Sequence, residues 1–151
     1  MRIRPETHYA TSGELRIAYQ AFGAGPALVW VPGWVSQLDL YWEEPAVERF
    51  LRRLASFSRV VVFDRRGIGL SDRVTKESVP SLEERIDDIR AVLDDLGLAQ
   101  AALLGQGYGT PIALLFGAAG SRIEFQERGV HALRGVPGDW ELFAATQAEA
   151  D

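Results

Sequence analysis

The chain has 151 residues, room for about one ordinary domain and a single core. With 47% apolar and 25% charged residues and a mean hydropathy of −0.04, its composition is globular and lies outside the disordered and fibrous classes. The excess of 21 acidic over 16 basic side chains gives a net charge of −5, without the basic surplus that a nucleic-acid partner would require.

No cysteine is present, which excludes disulfide scaffolds, thiolate metal sites and cysteine nucleophiles together. Of the two histidines, His8 reads as a surface or strand residue and His131 as structural. Neither has a second histidine at chelating spacing, so no metal and no cofactor is expected. The N-terminal run MRIRPETHYATSGE turns polar where a secretory signal needs an apolar stretch, and a cytoplasmic protein is expected. The weakly polar stretch Ala101 to Gly120 is interrupted by Gln106, Thr110, Pro111 and glycines, so no membrane span is expected.

Short apolar runs alternate with longer helical ones, the pattern of βα units on a mostly parallel sheet. A hairpin of strands Thr7 to Ala10 and Leu15 to Phe22, turning at Ser12 and Gly13, opens the chain. Ala27 to Val31 follows as a buried central strand that ends at Pro32 and Gly33. Pro45 suits a first helical turn, and Val47, Phe50, Leu51 and Leu54 make one apolar stripe behind it. Val60 to Phe63 is the next central strand. Ser81 with Glu84 forms a capping box for a helix striped by Leu82, Ile86, Ile89, Leu93 and Leu96 and stopped at Gly97. Ala101 to Leu104 is a third buried strand, Gly105 to Gly109 a tight turn, and Thr110 with Pro111 starts a helix to about Ala119. Beyond Gly120 two short extended pieces, Ile123 to Glu127 and Glu141 to Ala144, flank a turn-rich middle of Gly129, Gly135, Pro137 and Gly138, and a frayed tail runs from Thr146 to Asp151.

The informative stretch is strand, Gly105-Gln106-Gly107-Tyr108-Gly109, helix. A sharp glycine-rich strand-to-helix turn brings backbone N–H groups to the top of a sheet beside a helix N-terminus, where negative charge is stabilised. With it, Val31-Pro32-Gly33-Trp34 after the third strand, the loop Asp64-Arg65-Arg66-Gly67-Ile68-Gly69-Leu70-Ser71-Asp72 and the long helix occur in order. From about Tyr9 to Ala119 the chain resembles the N-terminal half of an α/β-hydrolase, whose loop reads D-x-R-G-x-G-x-S-D and whose elbow reads G-x-S-x-G. The resemblance implies an α/β fold: a truncated α/β-hydrolase-like, mostly parallel sheet with helices on both faces, plus a short C-terminal β-rich segment. The serine position of the elbow is Gly107, which has no nucleophile, and the family's acid and histidine come from the second half of its sheet. No catalytic residue is therefore assigned. The resemblance leaves an oxyanion-type pair of N–H groups on Trp34 and Tyr108, with Trp42 and Gln106 as candidates to line a pocket and Trp30 in the core.

The segment from Gly120 to Ala144 resembles the end of a class III nucleotide cyclase domain. The cyclase metal and base sites lie upstream of such a tail, so no cyclase activity is implied. The domain reading is 1–119 hydrolase-like, 120–145 cyclase-like and 146–151 tail, a remnant of a fusion between the two. Functionally, the chain reads as a degenerate hydrolase without catalytic activity, at most a binding or oligomerisation module. One alternative is a weakly active or ligand-binding hydrolase for ester- or epoxide-type substrates. The other is nucleotide binding by the Gly105 to Gly109 turn with Glu124, although Thr110 stands where the dinucleotide fingerprint needs its last glycine. The charges between Asp64 and Asp72 are expected to fix their loop rather than to catalyse. The expected partners are a second copy of the chain, through the exposed sheet edge or the C-terminal segment, and a small apolar ligand.

Overall fold

In a computed structural model the described residues are 4–75, 79–120, 123–132 and 139–147. They form β1 (His8–Ser12), β2 (Leu15–Phe22), β3 (Ala27–Val31), α1 (Leu38–Tyr41), α2 (Pro45–Ala55), β4 (Arg59–Phe63), α3 (Leu82–Asp95), β5 (Ala102–Gly105), α4 (Gly109–Gly120), β6 (Ile123–Ala132) and β7 (Asp139–Gln147). The chain divides into two compact units, Met1–Leu115 and Phe116–Asp151.

The first unit carries a five-stranded sheet in the order β1-β2-β4-β3-β5. The α/β expectation holds, and the sheet is mixed. β4, β3 and β5 pair in parallel, while the opening hairpin adds β2 and β1 antiparallel. The central strands need no alternation because both faces are covered: Val29, Val31, Val60, Val61, Val62 and Phe63 are all buried. On one face Ala18, Trp30, Val60 and Val62 pack with Leu38, Trp42 and Leu51, so α1 and α2 lie there. The next side chain of β2 points the other way. Tyr19 accordingly donates to Asp95 at the end of α3, at 2.5 Å, and buried Ile89 and Val92 belong to that second face.

Helix starts follow local chemistry. Ser81 and Glu84 close the capping box on α3, with both reciprocal bonds present (2.8 and 3.2 Å). Pro45 opens α2, and its N-cap Glu44 accepts from the Ala46 N–H.

Several sequence boundaries change. The first strand starts one residue and ends two residues later than expected because the ladder closes at Ser12↔Leu15, which leaves Gly13 and Glu14 as the turn. α1 was not expected at all. In the second unit β6 and β7 form an antiparallel ribbon much longer than the two short pieces read from sequence. Gly129 continues β6 instead of ending it: at φ +79° it sits in a register shift between Glu127 and Val130, a bulge that a Cβ would strain. β7 also takes in Thr146 and Gln147, placed by the sequence reading in the tail. Gly135, Pro137 and Gly138 lie outside the described residues, as does the rest of that tail.

Candidate functional site

β3 and β5 run parallel in the register Val31↔Gly105, so the loops that leave their C-terminal ends rise side by side. Sheet ends of this kind are where α/β folds place ligands. The Gln106 N–H donates to the Val31 carbonyl (3.1 Å), and Gly109 and Thr110 N–H donate back to Gln106 and Gly107 carbonyls (2.8 and 3.0 Å). The glycines permit this crowding. A Cβ on Gly109 would stand 2.3 Å from the Val31 carbonyl oxygen, and one on Gly105 would stand 2.5 Å from the Thr110 Cα.

Gly107, at the nucleophile position of the motif, differs from both. Its φ is +51°, in the left-handed region, yet a Cβ there would meet nothing within 4 Å. A side chain at this position would project into open space, at the conformational cost of the left-handed backbone. The position is open and holds no reactive group.

Trp34 and Tyr108 are brought together: their rings meet edge to face with centroids 5.3 Å apart. Trp34 is 71% exposed and Tyr108 38%. No hydrogen bond among the described residues engages the backbone N–H of either. Gln106 is exposed at the same turn. Trp42 is elsewhere, in the core under α2, donating from Nε1 to Gln20 (2.7 Å) and lying edge to face with Phe22. It edges a surface hollow of about 270 Å³ with Pro5, Phe22 and Arg52, none of which belongs to the elbow. Trp30 is core, stacked on Tyr41.

The Asp64–Asp72 loop ties the sheet to α3. Buried Asp64 accepts from Leu70 N–H (2.9 Å) and Leu38 N–H (3.3 Å), and its carboxyl so closely fills the turn that a Cβ on Gly69 would lie 2.1 Å from it. Burial pushes the Asp64 carboxyl above its ordinary pKa, while the two N–H donors pull it back. Arg66 forks onto buried Asp88 (2.7 to 3.1 Å) and reaches Glu84 and Ser12. These bonds, mainly to Asp88, outweigh burial and raise its pKa. Asp72 accepts from both the backbone and the guanidinium of Arg16, and those bonds hold its carboxyl below the ordinary value. These charges fix the loop, as the sequence reading expects.

Two residues at the elbow escaped that reading. Arg65 donates from Nη2 to the Trp34 carbonyl, and its guanidinium lies 5.4 Å from the Tyr108 ring centroid. Arg85, from the first turns of α3, lies 5.2 Å from the same ring. A signal for Arg65 exists in the sequence: it fills the variable position of D-x-R-G, where the motif itself asks for no charge. Among the described residues no group of His, Asp or Glu is arranged to hold a metal ion, and no helix is long and apolar enough to cross a membrane.

Comparison with known proteins agrees with this geometry. Over 88 residues the chain is 34% identical to Epoxide hydrolase B of Mycobacterium tuberculosis, covering 52% of this chain and 25% of that protein. Over 65 residues it is 40% identical to Epoxide hydrolase 4 of Mus musculus, covering 43% of this chain and 18% of that one. Among solved structures, an α/β hydrolase from Sphaerobacter thermophilus superposes with a TM-score of 0.60 at 30% identity, over 76% of this chain and 40% of its own. An epoxide hydrolase from Vigna radiata superposes with a TM-score of 0.62 at 20% identity, over 75% of this chain and 34% of its own, a likeness of fold. The chain thus spans a quarter or less of the curated relatives it matches. The model of the alpha/beta hydrolase fold matches residues 26–123, from β3 through the elbow and α4, and the chain belongs to that family.

Proposed function

We propose that this chain is a non-catalytic member of its family, a binding or self-associating module built on the hydrolase scaffold. The observation that carries this reading is Gly107: the elbow keeps the left-handed backbone of a nucleophile position while presenting no side chain. In serine hydrolases that act through a triad, loss of the nucleophile lowers turnover by about a million-fold. The partner we propose is a second copy of the chain. Among the described residues β5 pairs only with β3, so its outer edge offers unpaired backbone groups. For residues 120–145 we carry the cyclase resemblance as a reading of their sequence, with no cyclase activity attached.

The decisive assay measures turnover of short acyl esters and of a small epoxide by the purified chain and by Gly107→Ser. We expect both at background, because among the described residues nothing stands within 4 Å of a Cβ at position 107 to take a proton from the serine. Ester turnover that survives purification and vanishes on mutating a named elbow residue would sink the reading. A second reading, weak activity on epoxide-type substrates, draws on the names of the curated relatives. Epoxide opening above background in the same assay would favour it.

A further inference from the structure

Arg65 is 4% exposed, yet among the described residues it forms no ion pair, and its buried Nε has no hydrogen-bond partner. Asp64 accepts through Oδ2 from the Leu38 and Leu70 amides, its buried Oδ1 being without a partner, and Asp88 on α3 is paired with Arg66. Arg85 donates from Nε to the Pro80 carbonyl (3.2 Å) and likewise forms no ion pair among the described residues. Both guanidinium groups lie over the ring of Tyr108, and the Arg85 charge adds to burial in lowering the Arg65 pKa. Cation–π contact returns only part of what water gave these charges. Among the described residues no acid pairs with the two cations gathered on this ring, which marks a place for a negative charge from outside.

Tyr108 stands between the open position at Gly107 and the start of α4, and among the described residues the N–H groups of Tyr108 and Trp34 make no hydrogen bond. We propose that the vacant elbow binds a small organic carboxylate, its oxygens taken by Arg65, Arg85 and these N–H groups and its apolar body lying on the exposed Trp34 ring. The guanidinium fork suits any planar oxyanion. The exposed indole of Trp34 selects an acid with an apolar body over inorganic phosphate. This inference rests on the non-catalytic reading, because a nucleophile at position 107 would stand where the carboxylate enters.

Calorimetric titration of the full chain with phenylacetate, its neutral isostere phenylacetamide, and inorganic phosphate tests it. Phenylacetate is expected to bind, phenylacetamide not at all and phosphate more weakly. Arg85→Gln should weaken phenylacetate by about tenfold or more, the effect of losing one charge-assisted hydrogen bond. Gly107→Asp, a residue that tolerates a left-handed backbone, should abolish binding by placing its own carboxylate in the site. Circular dichroism confirms that each variant is folded. The proposal is overturned if the folded native chain binds no phenylacetate, if phenylacetamide binds equally, if phosphate binds more tightly, or if both variants bind as the native chain does. Ester turnover would sink the non-catalytic reading without touching these titrations, whereas absent binding with absent turnover would sink the anion site alone.

Discussion

The Asp64–Asp72 loop and the Gly105–Gly109 elbow are both glycine-punctuated connections at strand ends, and they use their polar groups in opposite ways. In the loop, Arg66 is matched to Asp88 and Glu84, Asp72 to Arg16, and Asp64 Oδ2 to two backbone amides, with Oδ1 alone left over. Around the elbow, two N–H donors and two guanidinium groups have no acid among the described residues. Charges that are matched inside the chain hold the fold, and charges left over point to something outside it.

The largest test of that contrast is Asp88→Ala. It strips a buried guanidinium of its buried partner, and a loss of about 3–5 kcal/mol is expected in the denaturant midpoint analysis. A loss below about 1 kcal/mol, the scale of an exposed pair, would erase the distinction. Within the elbow, Gly109→Ala drives a Cβ against the Val31 and Pro32 carbonyls, at about 1–3 kcal/mol. Gly107→Ala meets only the left-handed penalty, about 1 kcal/mol. Equal losses at the two positions would show that Gly107 is packed and not open.

The smallest effect is electrostatic. Burial raises the Asp64 pKa in the folded chain. Its contribution is fully present below the ordinary aspartate value and is lost as pH rises through the raised one. Stability should therefore fall as pH rises above about 4, and Asp64→Asn should flatten that decline in denaturant midpoints measured across pH. An unchanged slope in the variant would place the titration elsewhere.

β2 to β5 and α3 are legible in the sequence because apolar, β-branched runs and a capping box are local signals, whereas the bulge at Gly129 hides the length of β6. α1 is not, since its N-cap Gln37 makes no side-chain cap bond, and Leu38 N–H is held instead by Asp64 from a distant segment. Trp42 shows the limit for the site. An aromatic near a loop suits pocket and core equally, and its packing with Leu38, Leu51 and Phe22, together with its bond to Gln20, assigns it to the core. The empty position at Gly107 is written in the motif, whereas Arg65 and Arg85 meet at Tyr108 only once β4, α3 and the elbow have been assembled.

Arg66 also has a kinetic meaning. Its bonds to Ser12 and Asp88 span 54 and 22 positions along the chain, so they close long loops and contribute little until most of the topology is in place. Interactions that mature after the folding barrier chiefly slow unfolding. The arginine thereby acts as a latch on the lifetime of the folded chain, keeping hairpin, loop and helix from parting once they have met.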